Sequence, residues 1–172
     1  MEILQILDTI VRQQSIISLL EQLIVRVEKK LSSDRGALLS WETVPLEVFS
    51  KTLPNTIKSS WVFVLRANSC TGAERHPNSH QRMISFHGSG DLQVWDGEKW
   101  CSNLLVSDTS AQIEKRCLSI PPTTWHQAVV PENNWVVVSF HTVLANELIE
   151  ERPDPNDPQL TYKRKYIEKQ TL

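Results

Sequence analysis

The stretch Glu74-Arg75-His76-Pro77-Asn78-Ser79-His80-Gln81 gathers a carboxylate, two imidazoles and a side-chain amide just ahead of a β-rich segment that brings another imidazole, His126. Carboxylates and imidazoles are ligands for divalent metals such as zinc and iron. In a strand, residues two apart project to the same face, so Glu74 and His76 converge on one point. A second strand carrying His126 closes that site from across a barrel.

The elements that must hold such a site are legible in outline. A chain of 172 residues fits one domain with a hydrophobic core, here with a helical extension. Ile3, Ile10, Ile17, Ile24 and Leu31, with Ile6, Leu20 and Val27 at the companion spacing, form a heptad-like stripe. It predicts one long amphipathic helix, or two broken near Gln13, stopped by Ser32-Ser33-Asp34-Arg35-Gly36. The stripe packs along the outside of the barrel, pairs with a second subunit, or does both. A short helical turn is expected over 46–50, after Pro45.

From Trp61 the pattern changes. Trp61-Val62-Phe63-Val64-Leu65 reads as a strand covered on both faces. Further strands are read at 83–86, 92–95, 118–120 and 135–143, with a tight turn at Asp96-Gly97. The organisation expected is a helical extension over 1–60, an all-β barrel over 61–152 and an extended surface tail over 153–172. Pro153, Pro155 and Pro158 mark the tail.

With a formal net charge of -2 and 40% hydrophobic residues, the composition is that of an ordinary globular protein. The basic run Lys163-Arg164-Lys165 is short and has acidic residues nearby, so it reads as a solvated face, and no nucleic-acid partner is expected. Cys70, Cys101 and Cys117 are odd in number and lack C-x-x-C spacing, which argues against a disulfide framework or a zinc knuckle. No apolar run approaches a membrane span and the N-terminus lacks signal-peptide features. A cytoplasmic protein with no membrane partner is the expectation.

At this point the residues resemble the cupin superfamily. Its first motif reads glycine, five residues, His-x-His, three or four residues, Glu, six residues, glycine. With Gly88 as the closing glycine, Gln81 takes the Glu position, His76 the second His, Glu74 the first His and Asn68 the opening glycine. The second motif, glycine, five residues, Pro-x-Gly, two residues, His, three residues, Asn, maps onto Lys115, Pro121, Thr123, His126 and Val130. The resemblance covers about residues 61 to 145. It implies an all-β, cupin-like antiparallel jelly-roll barrel, here with an N-terminal helical extension, whose four ligand positions meet inside.

Those positions are Glu74, His76, Gln81 and His126, and the cofactor implied is a divalent metal ion. Two His and one carboxylate are the ligand types of the Fe(II) facial triad, with zinc, manganese and nickel also credible. Gln81 acts as a ligand or as a donor to a bound water or substrate. His80, in a polar loop, is an alternative ligand that replaces Glu74 or Gln81. Trp125, beside His126, and His141, in the last strand, are candidates to line the pocket; His87 reads as exposed. Arg75 and Arg82 alternate outward. Three functions follow from the resemblance: an Fe(II) dioxygenase-like enzyme acting on a small organic acid, a non-catalytic ligand-binding or sensory cupin, and a metal-free isomerase or epimerase. The last needs a His base and a placed acid, commonly Tyr, and Tyr162 and Tyr166 both lie beyond the expected barrel. A homodimer is expected, because single-barrel cupins commonly pair.

Overall fold

Antiparallel pairing organises the chain. The structure, a computed structural model, describes residues 2–157 and 159–167; Pro158 lies outside them. Helices α1 (Glu2–Val11) and α2 (Gln14–Ser33) lead into strands β1 (Leu39–Val44), β2 (Ser59–Leu65), β3 (Ser69–Cys70), β4 (Gln81–His87), β5 (Ser89–Trp95), β6 (Trp100–Cys101), β7 (Leu104–Val106), β8 (Cys117–Ile120), β9 (His126–Val130), β10 (Trp135–His141), β11 (Ile149–Pro153) and β12 (Thr161–Lys165). One sheet runs β1-β2-β10-β4-β8; a second runs β3-β9-β5-β6, with β7 also on β5; β11 and β12 form a separate hairpin. This is the antiparallel jelly roll that the resemblance implies.

The first sheet is buried on both faces. Trp61, Phe63 and Leu65 of β2 join Met83, Leu92, Trp135 and Val137 in the core between the sheets. Val62 and Val64, on the other face, pack with Ile84, Val136, Val138 and Phe140 against the helices. The stripe residues Ile10, Leu20, Ile24, Val27 and Leu31 belong to that same cluster. Most of the stripe thus packs on the barrel, while Ile6 stays exposed, and the two helices break at Arg12-Gln13. The turn after Pro45 is a 3-10 helix over Leu46–Thr52.

The expected organisation is corrected at both ends. The 1–60 segment is not wholly helical, because it contains β1, whose Trp41 enters the inter-sheet core. Its polar residues masked the strand; Glu42 is matched by Arg26 and Lys30 of α2, each at 2.9 Å. The tail is not simply an extended surface segment: β11 and β12 pair, and Tyr166 returns to the core. Its charges are matched in register, Glu150 opposite Arg164 and Glu151 opposite Lys163.

The backbone accounts for the altered glycines of the cupin motifs. Gly88 has φ 74°, and a Cβ there would lie 2.8 Å from the Asn134 carbonyl oxygen. Asn68 and Thr123, at two other glycine positions, hold φ 55° and 65°. The left-handed backbone has been kept where the residue has changed. For a β-branched side chain that conformation is strained, by roughly 1–3 kcal/mol. Thr123→Gly should therefore raise the unfolding free energy by about 1 kcal/mol, net of glycine's greater unfolded-state entropy. Urea denaturation reads this, and a loss of stability would contradict it.

Candidate metal centre

Backbone pairing brings the ligand types together. The Glu74 amide donates to the His126 carbonyl and the His126 amide to the Glu74 carbonyl, each at 2.9 Å. The next residue, Arg75, exchanges the same pair of bonds with Glu151 at 3.0 and 2.9 Å. The Glu74 segment is thus an extended stitch between β9 and β11. Glu74 and His126 stand side by side on adjacent strands, closer than a meeting across the barrel requires. His76, two residues on, faces the same way, and its carbonyl accepts from the Thr123 amide at 3.1 Å. Ligand atoms of Glu74, His76 and His126 all lie within 4.8 Å of one another.

The two rings are fixed in one tautomer. His126 Nδ1 lies 3.0 Å from the Thr124 carbonyl oxygen and His76 Nδ1 lies 2.9 Å from that of Ile149. A carbonyl only accepts, so Nδ1 carries the proton, and in a neutral ring Nε2 carries the lone pair. This outer hydrogen bond is the one that metal-bound histidines make. His126 Nε2 is buried with no hydrogen-bond partner and sits 3.7 Å from Glu74 Oε1. A cation between these two atoms, a proton or a metal ion, would satisfy both.

Glu74 is held from its other oxygen. Arg152 Nη2 donates to Oε2, while Arg152 Nε donates to Glu150 Oε1 at 2.7 Å and Nη1 to the Thr71 carbonyl at 3.0 Å. Arg164 Nε closes the pattern on Glu150 Oε2 at 2.6 Å. Burial pushes the Glu74 carboxyl up, but His126 and the Arg152 guanidinium outweigh it and hold the pKa well below the carboxylate range. Glu74 is ionised. Burial lowers Arg152, yet the charges of Glu74 and Glu150 raise its pKa overall.

The other anticipated residues divide. Gln81 lines an inner cavity of about 30 Å³ with Glu74, His126 and Tyr166; its Nε2 donates to Ser139 Oγ at 3.2 Å, and its Oε1 is buried without a partner. Its orphaned oxygen fits the ligand role, whereas the donor role falls to Nε2, which Ser139 already engages. His80 does not join the cluster, because Nε2 is engaged with Ser119 Oγ at 2.8 Å; burial and then Arg82 lower its pKa. Trp125 does not line the cavity; it packs under Arg75 at 4.5 Å, since His126 takes the inward position beside it. His141 stands behind His76, ring centroids 5.3 Å apart, between Ser79 Oγ and Ser139 Oγ. It does not line the cavity wall. His87 is exposed and pairs with Glu21 at 3.0 Å. The buried thiol of Cys117 is pushed up to about 12, chiefly by burial.

Arg152, Glu150 and Tyr166 were missed. Tyr166, anticipated outside the barrel, is buried with its ring centroid 6.0 Å from that of His76. Burial, and then Glu74 and Glu150, push its pKa well up, so the phenol keeps its proton. The complementary order of Glu150-Glu151 and Lys163-Arg164 was the available signal for the hairpin that carries these residues.

His141 gives a pH test in the metal-stripped protein. Burial holds its folded pKa well below the usual value, whereas the unfolded chain takes the proton near pH 6.5. Its contribution is complete above that value and is lost as pH falls below it, by up to about 1.4 kcal/mol per pH unit. The stability difference between wild type and His141→Asn should shrink accordingly from pH 7 to pH 5. A constant difference in urea titrations would refute this.

No family model matches the chain, and no curated protein matches it significantly. Among solved structures it is similar to an 11S globulin from Wrightia tinctoria, with TM-score 0.51 and 15% identity over 67% of this chain and 27% of that one. It is also similar to the capsular polysaccharide assembling protein CapF from Staphylococcus aureus, with TM-score 0.49 and 13% identity over 73% and 31%. For an oxalate oxidase in complex with the substrate analogue glycolate, the TM-score is 0.46 at 13% identity over 62% and 52%. The chain spans about half or less of each of these proteins. Its strand order and the likeness to the globulin agree: the protein has the cupin jelly-roll fold.

Proposed function

We propose that the protein binds a divalent metal ion through Glu74, His76 and His126 and uses it as a non-haem Fe(II) dioxygenase-like cupin on a small organic acid. The observation that carries this reading is the orphaned His126 Nε2 facing Glu74 Oε1 in the interior. Two imidazoles and one ionised carboxylate fit the facial-triad donor set, and zinc, manganese or nickel suit the same ligands. Bound Fe(II) would supply open positions for dioxygen and substrate. His76 and His126 present Nε2 because backbone carbonyls hold Nδ1–H. Gln81 Oε1 accepts a hydrogen bond from a bound water or substrate hydroxyl, and Tyr166 retains its phenolic proton. Phe63, Leu65, Met83 and Leu92 give the inner cavity an apolar wall.

One observation favours a second reading, metal-free isomerase chemistry: Tyr166 stands among the interior histidines and Glu74. The proposal also makes the chain a cytoplasmic homodimer. No described helix is long and apolar enough to cross a membrane.

Protein purified without chelator or histidine tag should carry near-stoichiometric iron, manganese, nickel or zinc. A folded His76→Ala, His126→Ala double variant should carry none. Elemental analysis with circular dichroism reads both, and wild type that stays metal-free after reconstitution would redirect the assignment to a ligand-binding cupin.

A further inference from the structure

The inner cavity shares a wall with a much larger space. A groove of about 650 Å³ opens beside the C-terminal end of α2, β1 and the β11–β12 hairpin. Leu39 and Thr71 line both spaces, and the Arg152–Glu74 pair spans the boundary. Any organic ligand whose head approaches Glu74 must leave its body in the groove, because the inner cavity offers only about 30 Å³. Lys30, Arg152 and Arg164 line the groove against one carboxylate, Asp34, with Trp41 and Tyr162 as aromatic walls.

Arg152 is the group that meets such a ligand. The bonds to Glu74, Glu150 and the Thr71 carbonyl commit Nε and one N–H of each terminal nitrogen. A guanidinium has five N–H donors, so it retains capacity for a further acceptor. Arg164, bound to Glu150 through Nε, stands next to it on the groove wall. Without a metal ion, a carboxylate arriving here meets Glu74 and Glu150, whose charges these two arginines already balance. A divalent ion beside Glu74 adds two positive charges and draws on the carboxylate that Arg152 shares.

We propose that the groove binds an organic carboxylate with a flat apolar body, its head on Arg152 and Arg164 and its body along Trp41 and Tyr162, and that metal binding at Glu74 switches this site on. The inference rests on the metal reading above and adds the ligand class and an order of binding, metal first and anion second.

Calorimetry on the full chain tests it, with zinc titrated first, then benzoate as the probe and benzamide as its uncharged counterpart. The zinc-loaded protein should bind benzoate at least about tenfold more tightly than chelator-stripped protein, and more tightly than it binds benzamide. Arg164→Gln, at a partly exposed position, should retain zinc and weaken benzoate by about tenfold, and Arg152→Lys, which keeps the charge and loses the planar fork, should weaken benzoate likewise at saturating zinc. Zinc binding with no benzoate heat, or equal benzoate affinity with and without zinc, overturns this inference while the metal reading stands. Benzoate affinity unchanged in folded Arg164→Gln and Arg152→Lys puts the carboxylate on the metal itself and also overturns it. Failure of wild type to bind zinc overturns both.

Discussion

The structure depends on how a charged carboxylate is kept inside a β-barrel. Glu74 is enclosed by β9 on one side and β11 on the other, and an ionised group there is tolerated only if it is paired and hydrogen-bonded. Arg152 meets one oxygen, and the other faces His126 Nε2 at 3.7 Å. Arg152 in turn needs Glu150, and Glu150 needs Arg164. One charge in the site thereby recruits a hairpin, and the hairpin closes one end of the barrel and delivers Tyr166 to the core.

This arrangement supports metal chemistry more specifically than the presence of histidines does. His141 is equally buried, but both its ring nitrogens have hydroxyl partners, and burial keeps it neutral. His80 is likewise satisfied by Ser119. His126 differs, because its Nδ1 bond to Thr124 leaves Nε2 without a donor beside an anionic oxygen. The contrast separates histidines that complete a polar interior from one that is poised for a cation.

Much of this was legible in the sequence where local physics dictates the outcome. The apolar run at Trp61–Leu65 had to be a covered strand, and the stripe over residues 3 to 31 had to be buried. Motif spacing located Glu74, His76, Gln81 and His126, and the positive φ of Asn68 and Thr123 explains how that spacing survives at two of the three lost glycines. The segments that misled were those whose charges are neutralised across space. Glu42 hid β1 inside the expected helical extension, and the run Lys163-Arg164-Lys165 made β12 look like a solvated tail. Their burial depends on partners many residues away, which periodicity does not reveal. The same holds for Trp125 and His141, whose facing was set by the register of β9 and β10.

The central claim is that one cation sits between Glu74 and the two imidazoles. An anomalous-difference map from crystals soaked in zinc tests it most directly. The account predicts a single strong peak within about 2.0–2.2 Å of His76 Nε2, His126 Nε2 and a Glu74 oxygen. A map with zinc only at surface positions, and with His126 Nε2 hydrogen-bonded to Glu74 or to water, would contradict it.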